Sequence, residues 1–134
     1  MIGDTDFFID LMHPRLTQHE RAVKRAGDVE GRGLRIAMTA VTRFELFSGV
    51  AQFARPNEER ARILGILGSF ATYPLDGPAA DEAGRIYGSL RAGGNPIGVA
   101  DALIAAIALL QREPLITRNR KEFGQVEGLQ VETY

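Results

Sequence analysis

Cysteine is absent from this sequence of 134 residues, and its absence excludes two kinds of site. Neither a disulfide framework nor a thiolate zinc centre can form, so any metal ion must be bound by oxygen or imidazole ligands. Histidine is scarce as well: His13 and His19 are six residues apart and have no partner at a metal-binding spacing. We expect both to be exposed, and a nucleophilic triad built on histidine is poorly supported.

Long hydrophobic runs are also missing. The longest uninterrupted one, residues 102–110, is about half of what a membrane-spanning helix requires. At the N-terminus, Asp4 stands where a signal peptide has basic residues. We therefore expect a cytoplasmic protein with no membrane-bound segment.

A surplus of positive charge is lacking, because the net charge is −1. Binding to nucleic acid usually requires a basic surplus, so the overall charge argues against such a partner. Basic residues are nevertheless concentrated in two places: Arg15, Arg21, Lys24 and Arg25, and Arg112, Arg118, Arg120 and Lys121. Clusters of this kind more often form a solvated helix face than an RNA-binding surface.

The composition that is present is that of one folded domain. Hydrophobic residues make up 45% and charged residues 25% of the chain, which is typical of globular proteins. The length suits a single domain over residues 1–134. The aromatic residues recur at helical spacing and are expected in the core or an interface: Phe7, Phe8, Phe44, Phe47, Phe53 and Phe70.

Short apolar segments alternate with helical patterns along the chain. The predicted strands are residues 1–3, 34–38, 71–75, 114–117 and 129–132. The predicted helices are residues 7–12, 16–29, a segment from Thr39 or Thr42 to Arg55, and residues 56–70, 78–91 and 98–111. This alternation predicts an α/β fold whose central parallel sheet of four to five short strands is covered by helices on both faces.

Three acidic residues follow different predicted strands. Asp4 follows the first strand, Glu45 lies in the helix after the second, and Asp101 lies in the first turn of a strongly apolar helix. Taken singly, two of them have a structural explanation: Asp101 helps to start its helix, and Glu45 pairs with Arg43 or Arg62. Taken together, they follow the strand ends where parallel sheets gather functional groups, so they can converge. Converging carboxylates repel one another unless they are protonated or share a cation, and oxygen ligands favour Mg²⁺ or Mn²⁺. Such an ion supports phosphodiester hydrolysis.

Four segments, in order, resemble the motifs of the PIN-domain family. Residues 4–11 resemble its opening Asp-Thr motif, and residues 42–50 its central Thr-x-x-Glu-Leu-x-x-Gly helix. Residues 101–106 match its Asp-x-x-Ile-Ala-Ala helix, and residues 117–123 its closing Thr-x-Asn/Asp-x-x-x-Phe segment. Each motif alone is weak, but the ordered set is specific. It resembles the VapC-like toxins of bacterial toxin–antitoxin pairs.

This resemblance implies a metal-dependent endoribonuclease that hydrolyses structured RNA and inhibits growth. Its metal ligands would be Asp4, Glu45 and Asp101, holding Mg²⁺ or Mn²⁺, with Thr117 and Asn119 as further catalytic residues. Asn119 occupies a position that is often Asp in the family, so one firmly held ion is expected. The implied substrate-binding residues are Thr5, Arg118, Arg120 and Lys121, and Asp6 adds either ligand charge or a helix cap.

The same resemblance implies two protein partners. One is a cognate VapB-like antitoxin that wraps the helices and inserts a basic side chain into the acidic pocket. The other is a second copy of the chain, and the faces carrying Phe44 and Phe47 or Ile63 and Leu67 could form the homodimer, although core burial explains them equally well. The family also usually has a β-branched or aliphatic residue where this chain has Gly3.

Two alternative functions stay open at this level. A receiver-like phosphoacceptor domain is also α/β and would use Asp4, Asp6 and Asp76, but Thr117 and Lys121 lie too close together in one loop for its hydroxyl and lysine positions. A catalytically inactive PIN-fold binding module is conceivable because of Asn119. The Gly93–Pro96 stretch is a connector, because it lacks the Lys-Ser/Thr ending of a phosphate-binding loop.

Overall fold

The chain folds around one parallel sheet of five very short strands. The computed structural model describes all residues 1–134. The strands are β1 (Ile2–Gly3), β2 (Ala37–Thr39), β3 (Ala71–Tyr73), β4 (Leu115–Ile116) and β5 (Val131–Glu132). Their order across the sheet is β3-β2-β1-β4-β5, and every neighbouring pair is parallel. The predicted fold class is confirmed.

Seven α-helices cover both faces of this sheet. They are α1 (Thr5–Met12), α2 (His19–Gly31), α3 (Ala40–Ser48), α4 (Pro56–Leu67), α5 (Gly77–Ala92), α6 (Val99–Gln111) and α7 (Arg120–Phe123). Two hydrophobic clusters lie on opposite sides: α5 and α6 pack over Ile2 and Leu115, whereas α1, α2 and α4 pack over Met38 and Ile116. This is the two-sided burial that a parallel sheet requires. None of these helices combines the length and the apolar character needed to cross a membrane.

Polar residues at the ends of four strands begin four of the helices. Asp4, Thr39, Asp76 and Asn119 each accept a hydrogen bond from the backbone N–H three residues later. Such N-caps satisfy donors that the first helical turn leaves unpaired. They therefore place the N-termini of α1, α3, α5 and α7 near the carboxyl edge of the sheet, where the predicted site lies.

Several predicted boundaries are wrong. The second helix begins at His19 rather than at residue 16, and β2 covers Ala37–Thr39 rather than residues 34–38. Helix α3 ends at Ser48, because the chain turns at Gly49 into a short 3₁₀ helix, Val50–Gln52, instead of continuing to Arg55. Helical periodicity persists through this 3₁₀ turn, so the sequence pattern alone does not reveal the break.

The predicted environments hold only in part. Phe44 is 71% exposed and Phe53 is also exposed, so of the two places predicted for them, core or interface, only an interface remains. The two histidines are partly buried rather than exposed: the ring of His13 stacks on Phe53, and Nδ1 of His19 lies 2.9 Å from the Asp10 carbonyl oxygen. By contrast, Phe7 and Phe8 are fully buried, as predicted.

Candidate active site

A polar pocket of about 430 Å³ brings the predicted acidic residues together. It is lined by Asp4, Thr5, Asp6, Ile9, Glu45, Ser48, Asp101 and Asn119. Four of these residues are acidic and none is basic, so the lining offers oxygen ligands and a concentration of negative charge. The pocket is formed by α1, α3, α6 and the turn after β4, which are far apart in the sequence.

Asp4 is the most deeply held acid of the pocket. It directly follows β1 and is only 4% exposed. Oδ1 accepts a hydrogen bond from the Phe7 N–H at 2.7 Å, and Oδ2 accepts one from the Thr117 hydroxyl. Burial raises the pKa of Asp4 to about 6, because these two hydrogen bonds offset the loss of solvation only in part.

Asp101 lies in the first turn of α6 but does not cap it. The N-cap is Gly98, which has no side chain to bond the helix. Asp101 can therefore favour the start of α6 only through its negative charge near the helix N-terminus, and not through a capping hydrogen bond. Burial, together with the neighbouring carboxylates of Glu122, Asp4 and Glu45, raises the pKa of Asp101 to about 7. The contributions of Asp4 and Glu45 indicate that Asp101 lies close enough to both carboxylates for their charge to act on it.

Glu45 is held towards the pocket by a hydroxyl rather than by an arginine. Its Oε2 accepts a hydrogen bond from Thr5 Oγ1, so α3 and α1 are linked across the pocket. The alternative pairing with Arg43 or Arg62 is wrong, because Arg62 instead pairs with Glu59 at 2.6 Å. Glu45 therefore carries no neutralising partner from this chain.

Thr117 and Asn119 follow β4, and of the two Asn119 lines the pocket whereas Thr117 is fully buried. The backbone N–H of Asn119 donates to Thr117 Oγ1 at 2.9 Å, and the Thr117 hydroxyl in turn donates to Asp4. Asn119 Oδ1 accepts from the Glu122 N–H at 3.4 Å and caps α7. The Asn119 amide nitrogen makes no hydrogen bond within the chain, so its two N–H groups can donate to a substrate or water.

The basic residues predicted to bind substrate lie outside the pocket lining. Arg118 forms ion pairs with Asp6 and Asp10, at 3.2 and 3.1 Å. Arg120 and Lys121 are exposed on α7. Asp6 does not cap α1, since Asp4 has that role, and Asp6 lines the pocket instead.

Sequence reasoning missed two acids at this site. Glu122 lies beside Asp101, and Asp10 is 1% exposed and pairs with Arg118. Signals for both exist in the sequence: Glu122 falls within the same short segment as Asn119, and Asp10 follows Asp6 by four residues, one helical turn.

The oxygen atoms of the pocket are suitable ligands for a hard divalent cation, although the carboxylates are too far apart to bind one ion together. Oxygen atoms from carboxylates, hydroxyls and an amide are the ligands that Mg²⁺ and Mn²⁺ prefer. No three acidic or histidine side chains of the chain are close enough together, as they stand, to hold an ion. Binding therefore requires side-chain adjustment within the pocket.

The receiver-like alternative is not favoured by this arrangement. Asp76 follows the edge strand β3, and β2 separates β3 from β1, the strand that Asp4 follows. Its carboxylate caps α5 by accepting from the Ala79 N–H. Asp76 is also absent from the lining of the acidic pocket.

Comparison with known proteins agrees with this fold and pocket. The sequence matches the PIN domain over residues 1–129, and the chain belongs to the PIN-domain family. Its relatives within that family are VapC proteins. It is 30% identical over 100 residues to the tRNA(fMet)-specific endonuclease VapC of Shigella flexneri. The aligned residues cover 75% of this chain and 76% of that protein.

Solved structures show the same similarity along nearly the whole chain. The structure of VapBC-1 from nontypeable Haemophilus influenzae matches with a TM-score of 0.83 and 25% identity, covering 98% of this chain and 96% of that one. VapBC2 from Rickettsia felis, solved bound to a DNA fragment from its promoter, matches with a TM-score of 0.83 and 20% identity, covering 99% and 97%. At 20% identity, the similarity to the Rickettsia felis structure shows only that the fold is shared.

Proposed function

We propose that this protein is an endoribonuclease that uses Mg²⁺ or Mn²⁺ to hydrolyse phosphodiester bonds in structured RNA. The observation that carries the proposal is the pocket in which Asp4, Glu45 and Asp101 meet without any basic side chain. Carboxylates crowded in this way repel one another. Burial raises the pKa values of Asp4 and Asp101, and charge repulsion adds to the rise, from Asp6 at Asp4 and from Glu122, Asp4 and Glu45 at Asp101. A divalent cation relieves this repulsion.

Asp4, Glu45 and Asp101 are the metal ligands in this proposal. When bound there, the ion supplies a water of lowered pKa and positive charge that neutralises the developing charge on the phosphate. The chain's own hydroxyl groups orient the ligands: Thr117 holds Oδ2 of Asp4, and Thr5 holds Oε2 of Glu45. Supporting bonds of this kind fix the orientation of ligands and tune their basicity.

Asn119, Thr5 and the basic residues contact the substrate in this proposal. The Asn119 amide nitrogen donates to a water or to a phosphate oxygen beside Asp4. Arg118, Arg120 and Lys121 bind phosphates flanking the scissile bond, and Thr5 adds a hydroxyl at the pocket wall. The relatives named tRNA(fMet)-specific endonucleases favour a transfer RNA as the structured substrate.

The protein would act as a growth-inhibiting toxin in the cytoplasm, controlled by a VapB-like antitoxin. The structural neighbours that are VapBC complexes support such a partner. A basic side chain of the antitoxin would enter the acidic pocket, which has no cation of its own in its lining. Its entry would occupy the place of the metal ion.

A homodimer also belongs to the proposal, on a narrower surface than the sequence indicated. Ile63 and Leu67 are 3% and 1% exposed and belong to the core, so they are not available to a second copy. Phe44 stays exposed on α3, next to Glu45. Sedimentation equilibrium measures whether two copies associate.

Cleavage of purified tRNA(fMet) tests the activity directly. We expect cleavage with Mg²⁺ or Mn²⁺ and none in EDTA. A ribonuclease that stays active in EDTA would contradict the metal-dependent mechanism. If instead no RNA is cleaved but Mn²⁺ still raises the melting temperature, the protein is the inactive PIN-fold binding module.

The pH dependence of stability is a second test of the same pocket. Burial raises the pKa of Asp4 to about 6 and, with the neighbouring acids, that of Asp101 to about 7. For an acid whose pKa is higher in the folded state, the folded protein binds more protons, so stability rises as pH falls from about 8 towards 5. Without metal, we expect the melting temperature to be higher at pH 5.5 than at pH 8 by about 5 °C.

Saturating Mn²⁺ should reverse this trend, because it binds only the ionised carboxylates and stabilises the protein most at pH 8. Differential scanning fluorimetry with and without EDTA measures both effects. Partly buried His13, whose pKa is lowered by burial and by Arg62, opposes the trend below about pH 6.5. Asp101→Asn is therefore measured alongside, and a metal-free pH trend that is unchanged in this variant would contradict the assignment to Asp101.

A further inference from the structure

A chain of polar contacts links Tyr134 to the acidic pocket. The Tyr134 hydroxyl donates to Asp10 Oδ2 at 2.8 Å, and the same oxygen lies 3.1 Å from Arg118 Nη1. Arg118 Nε donates to Asp6 Oδ2 at 3.2 Å, and Asp6 lines the pocket. Tyr134, which lies after β5, is thus connected through Asp10 of α1 to Arg118.

These residues differ in burial, and the difference separates two buried positioning groups from a guanidinium group that is open to solvent. Asp10 is 1% exposed, and a carboxylate buried this deeply requires a charged partner and hydrogen bonds. Tyr134 is partly buried, with its ring 5.2 Å from that of Phe7 in an edge-to-face arrangement. The Arg118 side chain is 43% exposed. Asp10 and Tyr134 are therefore the fixed end, and the guanidinium group of Arg118 reaches solvent.

Arg118 retains binding capacity in this arrangement. Its contacts use Nε and Nη1, and no hydrogen bond of the chain engages Nη2. A guanidinium group presents donors in a planar fork that suits phosphate oxygens, and a fork already fixed by other contacts loses less side-chain entropy on binding. The acidic lining repels RNA phosphates, so a cation fixed at its border has a clear use.

We propose that Tyr134 and Asp10 are positioning residues that hold Arg118 beside the acidic pocket, where the unused edge of its guanidinium group binds a phosphate of the RNA. The proposal rests on the proposed function and deepens it, because it assigns a role to two residues outside the catalytic set. Tyr134 acts only through Arg118, which makes its effect on RNA binding conditional on Arg118.

A double-mutant cycle tests this dependence. Fluorescence anisotropy measures the Kd of fluorescein-labelled tRNA(fMet) in EDTA for the wild type, Tyr134→Phe, Arg118→Ala and the double variant. We expect Arg118→Ala to weaken binding about tenfold and to reduce the slope of log Kd against log salt by about one, as loss of one phosphate contact does. Tyr134→Phe should weaken binding about threefold alone and not at all in the Arg118→Ala background.

Tyr87→Phe is the matched control, because Tyr87 is also partly buried and its hydroxyl makes no hydrogen bond in the chain. It should keep the wild-type Kd, and melting temperatures show that each variant is folded. A wild-type Kd for Tyr134→Phe, or an equal weakening with and without Arg118, would overturn the proposal. Binding is measured in EDTA and does not depend on cleavage. A failure to cleave RNA with Mg²⁺ would therefore contradict the nuclease assignment, whereas the double-mutant cycle would still test the role of Tyr134.

Discussion

Replacing Asp101 by Asn is expected to abolish RNA cleavage and, in the absence of metal, to make the protein more stable. The rate should fall by about a thousandfold, because the substitution removes one of three carboxylates proposed to hold the catalytic ion. At pH 8 the ionised Asp101 is disfavoured by burial and by Glu122, Asp4 and Glu45, as its raised pKa of about 7 records. A neutral amide removes this repulsion, so the melting temperature in EDTA should rise by about 5 °C.

The two effects have opposite signs, and this separates a functional acid from a structural one. A structural role would make Asp101→Asn less stable, and a misfolded variant would lose activity together with melting temperature. Asp81→Asn on α5 is the matched control, because Asp81 is exposed and lies outside the pocket. It should alter neither the cleavage rate nor the melting temperature. Cleavage of tRNA(fMet) with Mn²⁺ and thermal unfolding in EDTA measure both quantities.

The position of the acids could be predicted because strand ends converge in a parallel sheet. Asp4 directly follows β1, and Thr117 and Asn119 follow β4, which is the neighbour of β1. Once the strand order places β1 beside β4, Thr117 must lie near Asp4, and the structure joins them by a hydrogen bond. The sequence also predicts that Glu45 and Asp101 follow strands, and the family motifs point to the same residues. For Asp101 the strand-end prediction is wrong, because α6 follows α5 and not a strand, so only the motif indicates its position.

The partners of these acids could not be predicted, because they depend on side-chain direction rather than on sequence order. Glu45 follows Arg43 closely and yet bonds Thr5, since the helix turns the two side chains in different directions. Arg118 was expected to bind substrate, whereas within the chain it pairs with Asp6 and Asp10. Contacts between α1 and the segment after β4 span more than a hundred residues, so no local pattern records them.

Strand bounds were also only approximately predictable. β1, β4 and β5 contain two residues each, which is too short for a periodic pattern to define. Their existence followed from the apolar residues between helices, and their ends follow from hydrogen bonds to neighbouring strands. The exposed Phe44 shows the same limit, because helical spacing predicts a shared face but not which face is covered.

Gly3 stands where the first strand of the PIN-domain family usually has a larger residue, and the packing around Gly3 explains the difference. A Cβ atom built on Gly3 would lie 2.5 Å from Cδ1 of Phe7 and 2.9 Å from Cε2 of Phe8. Both rings are fully buried, with Phe7 edge-on to Phe8 and to Tyr134, so they have little room to move. Two large side chains on α1 therefore occupy the space that an aliphatic residue of β1 would need.

Gly3→Ala is accordingly expected to destabilise the protein by about 3 kcal/mol, at the upper end of the usual cost of overpacking a core. The cleavage rate should fall as well, because Asp4 is the next residue and Phe7 donates the hydrogen bond that fixes its Oδ1. Chemical unfolding measures the free energy, and tRNA(fMet) cleavage measures the consequence for the site.

Gly88→Ala is the matched control for this substitution. Gly88 lies inside α5, and a Cβ atom there would meet no other atom within 4 Å. Alanine restricts the unfolded chain more than glycine does, so this variant should be stabilised by about 0.5 to 1 kcal/mol. The same chemical change thus has opposite signs at two glycines, and the difference arises from two phenylalanine rings. Equal effects at both positions would mean that β1 and α1 do not pack as closely as the structure places them, and the position of Asp4 would then need another explanation.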